Sequence, residues 1–159
     1  MDHLAHFNRL QNDLQEILAR IASLNERKIT LTGKIDSNRI ASDRMQADLD
    51  NLRSLHSSGV QVRAKKAADA VEIDPRFRDA FVEAIVSTLR KEINTLTLEQ
   101  GFTKIEHDNA VTFGSQELGD VTDEIKTCEY TKLKIERRIT KCRKNMAVYL
   151  QKIEDESCR

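Results

Sequence analysis

The sequence has no tryptophan, a single proline, five glycines and an aromatic content of only 4% across 159 residues. Large aromatic side chains carry much of the buried area of a thick globular core, so their scarcity points to apolar residues spread along narrow seams. With Pro75 as the one proline, long stretches are free of the strongest helix breaker. No run approaches the roughly 20 uncharged apolar residues that a membrane-spanning helix needs. The opening Met1-Asp2-His3 also lacks the basic and apolar regions of a secretory signal, and both absences lead us to expect a soluble, intracellular protein of the cytoplasm. The cysteines are Cys128, Cys142 and Cys158. Three cannot all pair within one chain and none has CxxC spacing, so reduced thiols are expected.

The catalytic signatures are missing as well. Gly33, Gly59, Gly101, Gly114 and Gly119 are scattered, and no GxxxxGK[ST] loop, GxGxxG turn, GxSxG elbow or HExxH pair occurs. His3 and His6 lie three apart beside Asp2, a spacing that suits a metal only when further ligands join; at a helix end the expectation is a solvated terminus. His56 and His107 are assigned no catalytic role. The expectation is therefore no enzyme, no cofactor and no metal.

What is abundant is charge, at 33% of residues, with 26 basic and 26 acidic side chains. Neutrality gives no default attraction to nucleic acid or to an anionic membrane. The distribution is uneven, however. Glu72 to Glu124 carries 12 acidic and 5 basic residues, a balance of −7, whereas Ile125 to Ile153 carries 9 basic and 2 acidic, or +7.

The dominant pattern is a three-four alternation at both ends of the chain. It runs Phe7, Leu10, Leu14, Ile17, Ile21, Leu24, Lys28, Leu31, Ile35, Asn38, Ser42, Met45, Leu49 and Leu52, with 11 of 14 positions apolar. Such phase-keeping is the mark of a heptad seam. Ile29 to Gly33 weakens the helix locally through β-branched residues and glycine, but the phase survives it. Lys28, Asn38 and Ser42 interrupt the seam; they either fix register and partner choice or sit in a locally solvated stretch. A second seam reads Val121, Ile125, Cys128, Lys132, Ile135, Ile139, Cys142, Met146, Tyr149 and Ile153, from a helix start near Asp120.

Between the two, Ser57-Ser58-Gly59 reads as the end of the first helix, with Gly59 as a C-terminal cap. Val60 to Ala70 is compatible with strand or helix. Asp74-Pro75 reads as a helix start for a middle helix that Gly101 stops near residue 100. Its Phe77, Phe81, Val82, Ile85, Val86, Leu89, Ile93 and Leu96 cover more than one stripe, so it should be the best-buried element. Alternation around His107-Asp108-Asn109 suggests a short β-hairpin, with an irregular loop as the alternative.

The expected fold is mainly α: an elongated coiled-coil or helical hairpin of two long helices with a small middle insertion that is helical or α+β. The segments are 1–58, 59–118 and 119–159. The first seam, about 46 residues against about 33 for the second, should leave part of the first helix unpaired, which argues for self-association or a partner helix.

The expected function is that of a non-enzymatic protein–protein interaction protein, a scaffold, adaptor or chaperone-like assembly factor acting as a homo-oligomer. The oligomer seam is assigned to Leu10, Leu14, Ile17, Ile21, Leu24, Leu31, Ile35, Met45, Leu49, Leu52, Ile125, Ile135, Ile139, Met146 and Ile153. Lys134, Arg137, Arg138, Lys141 and Lys144 form a basic stripe opposite the second seam and, with Phe77 and Phe81, are the candidates for partner binding. The alternative is a nucleic-acid-binding accessory protein that uses the basic C-terminal helix along a phosphate backbone. Against it stand the overall neutrality and the lack of interleaved aromatics for base stacking.

Overall fold

A computed structural model describes residues 2–159; Met1, the first residue of the predicted N-terminal segment, lies outside them. Helix α1 spans His3–Ser54, a π-helical turn covers Leu55–Gly59, α2 spans Val60–Ala70 and α3 spans Arg78–Ser157. Among the described residues there is no strand. Two long helical arms, residues 3–70 and Arg78–Ser157, pack against each other as a helical hairpin.

Local chemistry explains the ends. The Asp2 carboxylate accepts hydrogen bonds from the backbone N–H groups of Leu4 and Ala5, both at 3.1 Å, satisfying donors that the first turn of α1 leaves free. Asp74 does the same ahead of α3: its Oδ1 accepts from the Arg76 N–H at 3.0 Å, and its backbone carbonyl accepts from the Phe77 N–H at 2.9 Å. The Arg76 side chain, followed by that backbone bond, holds the Asp74 carboxyl below its ordinary pKa. The β-branched stretch near Gly33 stays helical because Leu31 is buried in the seam, although Thr30 and Thr32 donate to the carbonyls of Glu26 and Lys28, bonds that slightly weaken a helix.

The chain divides into two compact units, Met1–Gly33 with Gly114–Arg159, and Lys34–Phe113. In the first, α1 and α3 run antiparallel. Leu24 and Leu31 pack with Val121, Ile125 and Cys128, flanked by Ile17, Ile21 and Leu118. Leu10 packs with Ile135, Ile139 and Cys142, flanked by Phe7, Leu14 and Met146. Two ion pairs one heptad apart, Arg20 with Glu124 and Arg27 with Glu117, edge this seam. Both are largely exposed, so they align the arms more than they strengthen them. The buried aliphatics, worth roughly 1.5–3 kcal/mol each, hold the arms together.

In the second unit Val60 and Ala64 are 1% and 0% exposed and pack with Val86 and Ile93, flanked by Leu52, Leu55, Val82, Ile85 and Leu89. Small Ala64 lets the arms approach closely here. Arg78 pairs with Asp69 across the turn between them.

Several expectations are corrected. Gly59 is not a left-handed cap: its φ is −67°, and the helix passes through the π-helical turn, with Val60 N–H bonded to Leu55 O, into α2. Gly101 does not end the middle helix, and the hairpin expected around His107-Asp108-Asn109 is helix, because α3 is continuous from Arg78. The reason lies in a seam that hydropathy hides. Three-four spacing continues through Gln100, Lys104, His107, Val111, Gly114 and Leu118, all half-buried, although half of these side chains are polar. The best-buried residues belong to α2 as much as to the middle stretch, and Phe77 is 61% exposed.

Candidate interaction surface

The structure places the predicted seam inside the hairpin. Leu10, Leu24, Leu31 and Ile35 are buried, with Leu14, Ile17, Ile21, Met45, Leu49 and Leu52 half-buried. On α3, Ile125, Ile135 and Ile139 are buried and Met146 is half-buried. Ile153 departs from the pattern at 43% exposed. Tyr149 already lies beside His3, ring centroids 5.9 Å apart, so Ile153 lies past the start of α1 with no facing turn there. The surplus expected on the first helix therefore falls on the third, which at 80 residues is longer than its sequence pattern suggested.

Two of the three polar interruptions of the first seam, Asn38 and Ser42, meet polar residues of α3. Asn38 Oδ1 lies 2.8 Å from His107 Nδ1. The Ser42 hydroxyl, buried, donates to the Asp108 carboxylate, which also accepts from Lys104 Nζ at 2.7 Å. Lys104 first and Ser42 second hold the Asp108 carboxyl below its ordinary pKa. A misregistered pairing would leave these groups facing aliphatics, which costs free energy; the cluster thus pins the register of its unit. Lys28 stays exposed.

The five basic candidates, Lys134, Arg137, Arg138, Lys141 and Lys144, are exposed on α3. Lys134 Nζ lies 4.6 Å from the centre of the Tyr130 ring, so one aromatic does sit beside the stripe. Arg138 and Lys141 also line a cleft of about 440 Å³ with Asp2, His3, His6, Arg9, Cys142 and Asn145. Its cationic lining disfavours a metal cation, and among the described residues no three His, Cys, Asp or Glu side chains are grouped to hold one. Phe77 and Phe81 belong to the other unit, exposed and half-buried respectively. Phe77 is flanked by the Arg76 guanidinium at 5.9 Å.

The surface missed from sequence lies on α3 between the two seams' obvious parts. Leu98, Phe102, Ile105 and Phe113 are 64%, 65%, 54% and 69% exposed. At 100° per residue they fall on one face, turned away from Gln100, Lys104, His107 and Val111. Treating residues 102–118 as non-helical concealed this; the spacing of Leu98, Phe102 and Ile105 was the available signal. A larger opening of about 570 Å³ beside the π-helical turn, with Asp48, Asn51, Ser58, Arg63 and Gln100 among its lining, brings no nucleophile–base pair together.

No helix is long and apolar enough to cross a membrane among the described residues. No protein-family profile, curated protein or solved structure matches the chain.

Proposed function

We propose that the chain is a non-enzymatic protein–protein interaction protein, a coiled-coil scaffold, adaptor or chaperone-like assembly factor that acts as an oligomer in the cytoplasm. The observation that carries this reading is the exposed stripe of Leu98, Phe102, Ile105 and Phe113. Apart from Tyr149 and Ile153, the apolar seam positions are covered within the chain, so Leu98, Phe102 and Ile105, with Phe113 two turns further along the same face, are apolar surface left over after folding, and exposed apolar patches mark binding sites. Unpaired Cys128, Cys142 and Cys158 are in keeping with a reducing compartment. The shallow, mixed-charge openings supply none of the convergent groups that catalysis needs.

The test is Phe102→Asp with Phe113→Asp in the full chain, followed by cross-linking in cells and a helical melt. Both residues are exposed, so the melt should shift by no more than about 0.5 kcal/mol in stability, while cross-linked partner chains disappear. Unchanged cross-links with an intact fold, or a wild-type chain that forms none, overturn the reading.

A second reading, a nucleic-acid accessory protein, is favoured by one observation: Lys134, Arg137, Arg138, Lys141 and Lys144 are all exposed, with Tyr130 beneath Lys134. It requires binding whose logarithm falls with log salt by about 0.7–0.9 per phosphate neutralised, lost when the five become Glu.

A further inference from the structure

We infer that the occupant of the exposed stripe is a second copy of this chain, whose basic outward face from Tyr130 to Val148 lies antiparallel on the acid-edged apolar face from Leu98 to Phe113. The inference rests on the interaction-protein reading and names its partner.

Two outward faces of α3 carry it. The first holds Leu98, Phe102, Ile105 and Phe113, with exposed Glu99 and Glu106 at its edge. The second holds Tyr130 and Leu133, 60% and 44% exposed, followed by Lys134, Arg137, Lys141, Lys144 and Val148. Both stand opposite the seam that faces the other arm. Each is amphipathic, and their charges are of opposite sign.

The spacings also match. Phe113, Glu106 and Glu99 descend in steps of one heptad, and Tyr130, Arg137 and Lys144 ascend in the same steps. Laying Phe113 opposite Tyr130 with the helices antiparallel therefore sets Glu106 opposite Arg137 and Glu99 opposite Lys144. The same register sets Phe102 opposite Lys141, a cation–π pairing, and Leu133 near Phe113. A parallel alignment can also set Glu99 opposite Arg137 and Glu106 opposite Lys144, but it then puts Glu92 opposite Tyr130, Gln151 opposite Phe113 and Thr140 opposite Phe102, so the aromatic pairings are made only in the antiparallel register. Among the described residues none of Glu99, Glu106, Arg137, Lys141 and Lys144 makes an ion pair within the chain, so these charges are free to pair between chains. Complementary charge of this kind fixes register and excludes wrong partners.

The experiment is sedimentation of the purified full chain at low salt after nuclease treatment. It compares wild type, Glu99→Lys with Glu106→Lys, Arg137→Glu with Lys144→Glu, and an equimolar mixture of the two variants. All four substitutions are on exposed sites, and circular dichroism checks that each variant stays helical. Wild type should self-associate. Each variant alone should associate about tenfold or more weakly, since like charges replace opposed ones. The mixture should recover wild-type association within about threefold, because swapped charges face each other again. A monomeric wild type, association lost on nuclease treatment, or a mixture that fails to recover overturns the inference. Association indifferent to both charge swaps overturns this register too, yet leaves the interaction-protein reading to the Phe102 and Phe113 variant.

Discussion

At the scale of single residues, the polar members of the seam are the most informative. Hydrogen bonds from Lys104 and then Ser42 hold the Asp108 carboxyl below its ordinary 3.8 in the folded chain. The unfolded chain therefore binds the proton more readily. The stabilisation from this carboxylate is fully present above about pH 4 and is lost as pH falls through the lowered folded value. Asp108→Asn should accordingly be less stable than wild type at neutral pH, with the gap in urea unfolding free energy closing as the pH approaches the acid limb. A gap independent of pH would show that the carboxylate's charge contributes nothing. Glycines give a second contrast. A Cβ at Gly101 or Gly119 meets nothing within 4 Å, whereas one at Gly59 comes within 2.6 Å of Leu55 Cδ1. Gly101→Ala and Gly119→Ala should each stabilise by up to about 1 kcal/mol through helix propensity. Gly59→Ala should gain less, because Leu55 flanks the core of its unit and must move.

At the scale of elements, the energy of each seam lies where two arms overlap. Leu24, 4% exposed among Val121, Ile125 and Cys128, should cost about 2–5 kcal/mol on truncation to Ala. Ile153→Ala, on an exposed turn of the same spacing, should stay within about 0.5 kcal/mol, and chemical denaturation of the two variants compares them directly. The first seam could be read from hydropathy because most of its positions are aliphatic. The stretch of α3 from Gln100 to Gly114 could not, since its seam positions include Gln100, Lys104 and His107, whose role depends on Asn38 and Ser42 across the interface. Its alternation around His107-Asp108-Asn109 then read as a short β-hairpin or an irregular loop, where the structure has helix. Gly101, read as the stop of the middle helix, reinforced that reading, although a single glycine inside a well-packed helix only weakens it.

At the scale of the whole molecule, each compact unit has its own core: the clusters around Leu24 and Leu10 in one, and that around Val60 and Ala64 in the other. Contiguous regions with separate cores open as separate cooperative units. Ile93→Ala should accelerate amide hydrogen exchange through Lys34–Phe113, and Leu10→Ala through residues 3–33 and 114–157. Uniform acceleration by either variant would show a single cooperative structure instead. The segregation of charge along the sequence is also visible at this scale: among the described residues Glu99, Glu106, Arg137, Lys141 and Lys144 are exposed on α3 and make no ion pair within the chain.

Heptad phase is a local property, carried by residue type at fixed spacing, so the sequence alone determined that both ends of this chain form long helices with one buried stripe, and which side chains lie on it. Pairing is not local. Only the tertiary structure decided that the two stripes cover each other within one chain, that Asn38 and Ser42 meet His107 and Asp108, and that Leu98, Phe102, Ile105 and Phe113 are left facing outward. Each of those outcomes depends on which turn of one arm stands opposite which turn of the other, and no spacing within a single helix contains that register.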